Sequence, residues 1–491
     1  MPPKQDRFNK TITNSIWSVL DAAVYPAVYM ALLPVLMKGL GMTVFGMWIV
    51  INSLMTTLQL FNLNIGITTI KQLSAHAASR QTEKLVRTFS AILRVTLVLL
   101  GIVSLAGILI ALIQPYYNFL GLGQDTGGDI TACILLAALI TGLKFLDQVF
   151  QSVLKALEAF RPAALLNLFN RLGLLGINVF LALQHSSVQE LLVANFVFTV
   201  GYLVLHLLVL NAQVPGFRLT LKTEKRYTRS VLSFSLWPWL QSLIIVITFQ
   251  TDRFWVAAFA GLETVSNYGI VATMFNHIHM IFAAMTAWAL PRISGLVARG
   301  EDPSQIYGKT RNVLSATAII SLVGFDLLAP YLFPVWVGAA AYTGMAPYIK
   351  AFIAFELLFI HTVMPFFYLN AAGREREATR ITLFYCLGCY GTMVAGLYLY
   401  REPVYMILGM AASLAFSMPL VNYFVQRYLT GTASVPDILK DMLPAYAAVI
   451  LIFLPWTWMS AILIPLLMLG IYQYYLSSFI TRKIWKLPAK L

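Results

Sequence analysis

Fourteen stretches of this chain are apolar for long enough to cross a lipid bilayer, and that repetition leaves few folds open. A spanning helix needs about 20 predominantly apolar residues. Candidate runs start near residues 12, 45, 89, 130, 162, 189, 231, 265, 313, 346, 379, 404, 442 and 460 of the 491-residue sequence. Inside hydrocarbon the backbone must satisfy its own hydrogen bonds, so runs of this kind fold as helices. The expected fold class is an all-α polytopic membrane protein of about 14 transmembrane helices. Composition agrees: 59 % of residues are hydrophobic and 11 % charged, whereas a soluble domain has about a quarter charged. No room remains for a large aqueous domain. The polar start MPPKQDRFNKTITN leads into an apolar run without a small-residue cleavage site, which reads as an uncleaved first span.

Charge gives the orientation. The formal net charge is +14, and in a soluble protein that would suggest nucleic acid. Here topology accounts for it, because Lys and Arg accumulate in cytoplasmic loops. Of 34 Lys and Arg, 27 fall in the two termini and the alternate loops that share their side. Only Lys38 and Arg401 fall in the opposite loops, and five lie within spans. Both termini are therefore expected in the cytoplasm, with an even number of spans and no nucleic-acid partner. The weakest span is LPAYAAVILIFLP (Leu443–Pro455), for which a re-entrant segment is the alternative. The longest cytoplasmic connections are KQLSAHAASRQTEKLVR, after span 2, and PRISGLVARGEDPSQIYGKTR, after span 8.

A faint repeat supports a division into lobes. IKQLS (Ile70–Ser74) closes span 2 and LPRIS (Leu290–Ser294) closes span 8, each followed by a basic loop. Six spans separate them, so the halves would be parallel repeats about an axis along the membrane normal. The expected layout is an N-terminal lobe of spans 1–6 (residues 1–217), a second lobe of spans 7–12 (218–430), and two additional spans (431–491).

Ten ionisable residues besides histidines fall within these spans: Asp21, Arg94, Lys144, Asp147, Arg171, Asp252, Arg253, Asp326, Lys350 and Glu356. Each costs about 2.5–3.5 kcal/mol at mid-bilayer on insertion scales, so they must pair, snorkel or line a wet cavity. Helical spacing sorts them. Span 1 aligns Asn14, Ser18, Asp21 and Tyr25. Span 4 aligns Lys144, Gln148, Gln151 and Lys155, with Asp147 one turn from Lys144. Span 5 aligns Asn167, Arg171 and Asn178, with Asn170 alongside and an interruption at Leu174. Span 7 aligns Gln241, Thr248 and Asp252. One such stripe is ordinary interhelical glue; four in one bundle point to the wall of a hydrophilic chamber.

Individual residues keep their simpler readings beside that one. Arg94 lies near the start of span 3, where snorkelling to the surface competes with a chamber role. Lys144 and Asp147 also fit a structural i, i+3 pair. Lys350 reads as an interfacial anchor. Arg171 is too deep to reach either surface and is the best candidate for a lumenal cation. For Asp21 a cross-helix ion pair is the favoured reading, whereas Asp326 and Glu356 either pair or titrate. His277, His279 and His361 read as satisfied buried imidazoles. The three cysteines Cys133, Cys386 and Cys389 sit in apolar runs, so the C-x-x-C at 386–389 reads as two small buried residues. No G-x-x-x-x-G-K-[ST], G-x-S-x-G or H-E-x-x-H occurs, so no nucleotide, cofactor or metal is expected. No outer loop is long enough for the apparatus of a membrane glycosyltransferase.

Two long stretches resemble a known family. LPVLMKGLGMTVFGMWIVINSLMTTLQLFNLNIGITTIKQLSAH (residues 33–76) carries an LG…FG.W turn between spans 1 and 2. FSLWPWLQSLIIVITFQTDRFWVAAFAGLETVSNYGIVATM (residues 234–274) carries an aspartate–arginine pair before a small-residue turn. Both are similar to the polysaccharide flippases of the multidrug/oligosaccharidyl-lipid/polysaccharide exporter superfamily, and the similarity runs over essentially the whole length. FNLNIG departs from it: many relatives carry an acidic residue and an earlier glycine where this chain has Asn62 and Asn64, so no ion-coupling role is carried over there.

The resemblance implies export of a polyprenyl-pyrophosphate bearing an oligosaccharide repeat unit, from the cytoplasmic to the outer leaflet of a bacterial inner membrane, by alternating access. It serves assembly of O-antigen, capsule or exopolysaccharide and allows a polysaccharide polymerase or chain-length regulator as a partner. Sugar hydroxyls cannot cross hydrocarbon unaided. Arg171, Lys144 and Arg94 would attract the pyrophosphate or acidic sugars, with Asn167, Asn178, Gln148 and Gln151 bonding sugars. Asp252 and Arg253 would lie near the lobe interface and, with Asp21, Asp147, Asp326 and Glu356, serve gating or ion coupling. The last two spans would hold the lipid tail, by analogy with lipid II flippases. The alternative is a Na⁺- or H⁺-coupled multidrug and toxin extrusion antiporter, favoured by the deep carboxylates and disfavoured by the excess of lumenal base. An enzyme of envelope glycan synthesis and a noncatalytic scaffold fit the polar stripes less well.

Overall fold

The computed structural model describes residues 24–63, 65–66, 69–70, 72–73, 82–118, 120–122, 129–157, 159–213, 239–286 and 288–454. These residues are helical throughout, with no strand among them. In chain order the helices are α1 (Val24–Leu40), α2 (Met42–Leu58), α3 (Thr82–Tyr117), α4 (Ile130–Ala156), α5 (Phe160–Leu183) and α6 (Val188–Gln213). They continue with α7 (239–250), α8 (Asp252–Thr286), α9 (Ala289–Ala298), α10 (Ser304–Trp336) and α11 (Ala339–Phe359). The last are α12 (Val363–Ala371), α13 (Glu375–Tyr400), α14 (Val404–Thr430) and α15 (Val435–Phe453). Ten segments among the described residues are long and apolar enough to cross a membrane. One of them, Trp239–Thr286, runs for 48 residues. At about 1.5 Å per residue that is roughly twice a bilayer core. Gly261 interrupts it with a φ of 80°, a conformation that glycine adopts without steric cost. The expected separation of spans 7 and 8 falls at this bend. Span 14 and both termini lie outside the described residues.

Helix boundaries follow local chemistry. At the start of α6, Ser187 and Glu190 form a reciprocal cap. The Ser187 N–H donates to Glu190 Oε2 at 3.0 Å and the Glu190 N–H to Ser187 Oγ at 3.3 Å, which satisfies two orphan donors. At the start of α10, the Ser304 N–H and hydroxyl both donate to the Asp302 carboxylate, at 2.9 and 2.6 Å. Helices α4, α5, α6 and α14 begin within two residues of the expected starts. Others begin a turn or two earlier: α3 at Thr82, α10 at Ser304 and α15 at Val435. Hydropathy marks the hydrocarbon boundary, whereas a helix continues into the polar interface.

One expectation is corrected. The connection after span 8 is not a plain loop, because α9 occupies its first part and buries Ala289, Ile293 and Leu296 at i, i+4 and i+7. Pro291 stands in its first turn, where a missing N–H breaks no bond. Of the weak span at Leu443–Pro455, the part up to Phe453 belongs to the continuous 19-residue helix α15, which runs through Pro444, and Pro455 lies outside the described residues.

The chain divides into two compact units, Met1–Ser266 and Asn267–Leu491. In the first, α4 packs against α2, α3, α5 and α6 and forms its centre. Two close approaches hold it together. The His185 Nδ1 lies 2.7 Å from the Gly39 carbonyl, and Gly46 of α2 meets the backbone of Leu262, where Ser266 donates to the Met42 carbonyl. The two stretches that carry the family resemblance therefore touch one another. In the second unit α11, buried along its second half, contacts α10, α14 and α15.

Candidate functional site

The polar groups of the first unit converge on α4. Gln148 accepts a hydrogen bond from Asn62 Nδ2, in the 3-10 turn Gln59–Asn62 that ends α2. Asn62 Oδ1 in turn accepts the Ile65 N–H at 3.3 Å. Asn62 is thus a latch on α4. One residue earlier, Asp147 Oδ1 lies 2.9 Å from His206 Nδ1 on α6, and Asp147 Oδ2 lies 3.5 Å from Asn170 Nδ2 on α5. One turn later, Gln151 donates to the Tyr202 hydroxyl at 3.2 Å. Lys144, half-buried on α4, is within electrostatic reach of both Asp147 and Arg171.

The stripe of α5 divides on folding. Asn170 and Asn178 are buried, Asn167 is half-buried, and Arg171 is exposed. A 24-residue helix turns its polar residues to more than one neighbour, so a shared stripe does not mean a shared environment. The Arg171 guanidinium lies over the Tyr25 ring at 5.6 Å, within cation–π range. Tyr25 stacks on Tyr29 at 5.8 Å, and Arg253 is within electrostatic reach of Tyr29. An aromatic ladder on α1 therefore bridges two arginines. Arg94 is exposed on α3 and has no bond to the α4–α6 network among the described residues. Asp21 lies outside the described residues.

Asp252 and Arg253 are both buried at the start of α8, 3.8 Å apart, and Arg253 also donates to Gln250. The Asp252 position, in the first turn of a helix, favours a negative charge. Gln241 and Thr248, expected on the same stripe, are buried as well.

In the second unit the deep carboxylates have partners on other helices. Glu356 of α11, 1 % exposed, accepts from His279 of α8 at 2.8 Å. Asp326 of α10 is buried within electrostatic reach of Lys350 on α11. Lys350 donates to the Ile452 carbonyl at 3.1 Å, one of the orphan carbonyls at the end of α15. Near the start of α15, Asp441 pairs with Arg311 of α10. Arg311, Ser315, His361, Asn422 and Asp441 line a small cleft there together with Ile438 and Met442.

Sequence reasoning missed the α6 face. Asn195, Thr199, Tyr202 and His206 recur at i, i+4, i+7 and i+11, and all are buried. That spacing was available in the sequence, but a lone histidine and isolated Asn and Thr in an apolar run carry little signal until α4 meets them. Among the described residues no cluster of metal-ligating side chains occurs.

The fold has known counterparts. A family described as "Polysaccharide biosynthesis protein" matches residues 12–297. A Shigella flexneri protein described as "Putative O-antigen transporter" is 23 % identical over 288 residues, covering 58 % of this chain and 67 % of that protein. An inward-facing multidrug resistance MATE family transporter of the MOP superfamily superposes with a TM-score of 0.67 at 12 % identity, covering 84 % of this chain and 95 % of that one. The lipid II flippase MurJ in an inward closed conformation gives a TM-score of 0.66 at 13 % identity, over 95 % and 98 % of the two chains. The protein is thus a multi-pass membrane protein with the fold of those transporters, and its sequence belongs to the polysaccharide biosynthesis protein family.

Proposed function

We propose that this protein is a flippase that carries polyprenyl-pyrophosphate-linked oligosaccharide repeat units from the cytoplasmic to the outer leaflet by alternating access. The observation that carries this reading is the α4–α6 network, with the cations Lys144 and Arg171 on its accessible side. Two cations near buried amides suit a pyrophosphate followed by sugars, because Arg offers planar bidentate donors and amides bond hydroxyls from either end. Asn167, Asn178, Gln148 and Gln151 would meet the sugars, and Arg94 would supply a further positive charge on the approach.

The finer features belong to the same proposal. The chain has 14 spans with both termini cytoplasmic, arranged as lobes 1–217 and 218–430 and two further spans 431–491 that hold the lipid tail. It resides in a bacterial inner membrane and serves O-antigen, capsule or exopolysaccharide assembly beside a polymerase or chain-length regulator. Asp21, Asp147, Asp252, Arg253, Asp326 and Glu356 serve gating or ion coupling. The likeness to an O-antigen transporter and to MurJ supports this reading.

A second reading is a cation-coupled multidrug antiporter. It is favoured by the buried Asp326 and Glu356 and by the equal likeness to a MATE transporter.

The deciding experiment follows a labelled polyprenyl-pyrophosphate oligosaccharide between leaflets of proteoliposomes. Protein-dependent flipping is expected, and Arg171→Ala should reduce it at least tenfold while leaving folding intact. A folded preparation that flips none of several such lipids but exchanges organic cations would select the antiporter.

A further inference from the structure

His206 is fully buried, and its Nδ1 lies 2.9 Å from Asp147 Oδ1 while the Asp147 side chain stays 14 % exposed. Phe150 and Tyr202 frame the imidazole at 5.7 and 5.6 Å. Its Nε2 has no hydrogen-bond partner among the described residues, an unusual state for a buried polar atom. Among the helices with described contacts, α2, α4 and α5 pack against α6. From α4 the ionisable groups facing this place are Asp147 and Lys144. From α5 the charged neighbour is Arg171, which acts on Lys144. The α2 sequence, MTVFGMWIVINSLMTTL, contains no ionisable residue.

We propose that the Asp147–His206 pair is a proton-binding site whose occupancy sets the affinity of Lys144 and Arg171 for a phosphate-type anion. The inference rests on the flippase reading above and deepens it. With one hydrogen between Nδ1 and Oδ1, the pair carries a charge of minus one. Its carboxylate then compensates Lys144, one helical turn away. When a proton is added the pair becomes neutral, and Lys144 and Arg171 present uncompensated positive charge to an anion. The coupling is reciprocal, so bound anion also draws the proton on. Proton and anion consequently favour the same state of the carrier, the opposite of an antiport.

The test uses the full-length protein in lipid nanodiscs with farnesyl pyrophosphate as the probe. Binding is measured from pH 8 to pH 6 for the wild type, His206→Gln and Asp147→Asn. Gln keeps a donor for Asp147 but does not titrate, and thermal melting verifies that each variant is folded. The probe's own ionisation is common to all three proteins, so the readout is the affinity ratio of wild type to variant. That ratio should rise about tenfold as pH falls, within the usual range of such couplings. In parallel, the ¹⁵N signal of His206, assigned by its loss in His206→Gln, should change between pH 8 and pH 5 as the pair takes up the proton.

A His206 signal unchanged from pH 5 to 8 overturns the proton site. A titrating signal with a flat affinity ratio overturns the coupling. Absence of probe binding by every protein at every pH, with the signal still titrating, places the failure in the flippase reading of the cations, and the coupling falls with it.

Discussion

Gly46→Ala tests whether the contact between the two resembling stretches holds the first unit together. A Cβ at Gly46 would lie 1.9 Å from the Leu262 carbonyl oxygen and 3.0 Å from Ser266 Oγ. Ordinary contacts begin at 3.4 Å, and the obstructing atom is backbone, so α2 and α8 must separate. Overpacking of this kind costs about 1–3 kcal/mol. The same displacement stretches the Ser266 to Met42 hydrogen bond, a loss of about 1 kcal/mol. Replacing a helical glycine with alanine returns about 1 kcal/mol of propensity. The balance is a destabilisation of about 1–3 kcal/mol. At roughly 2–4 °C per kcal/mol, the melting midpoint should fall by several degrees, read by fluorescence-detected size-exclusion chromatography after heating. Gly101→Ala on α3 is the control, because its Cβ meets nothing within 4 Å, and its midpoint should hold or rise. Equal midpoints for the two variants would refute the close approach.

Three further outcomes are expected. Glu356→Leu removes the acceptor of His279 Nδ1 and should cost about 1–3 kcal/mol, while Glu356→Gln keeps an acceptor and should cost less than half as much; chemical denaturation of both ranks them. Arg311→Ala and Asp441→Ala should couple by about 1 kcal/mol in a double-mutant cycle, because the side chains are 13 % and 31 % exposed and solvent weakens the pair. The bonds from Ser304 hold the Asp302 carboxyl below its ordinary value. A depressed pKa stabilises the folded form above the ordinary Asp value and loses that effect as pH falls through the folded value. The protection of amides at the start of α10, taken relative to their intrinsic exchange rate at each pH, should therefore fall as the solution is acidified below about pH 4, and Asp302→Ala should show the lower protection at all pH values.

Several residues of the proposed site stand out in the sequence one by one. The depth of Arg171, Lys144 and Asp147 in apolar runs marked them before any coordinates, because charge is expensive in hydrocarbon and a segment that carries it must give it a destination. The α6 face was equally periodic but carried no formal charge, so hydropathy passed over Asn195, Thr199, Tyr202 and His206. The loop expected after span 8 held α9, since a short interfacial helix leaves little trace in a window about 20 residues wide.

The sequence by itself determined helix type, order and approximate limits. The bilayer imposes length and apolarity on each segment separately, so these properties are local. It did not determine which polar groups meet. His206 and Asp147 are 59 residues apart, and Arg311 and Asp441 are 130 apart. Their pairing depends on the rotation of each helix about its axis, and many neighbours set that rotation at once. Only the tertiary structure decided that Asp147 faces a buried imidazole and that Asn62 latches onto Gln148. It also divided the polar residues of α5 between a buried face and an exposed arginine.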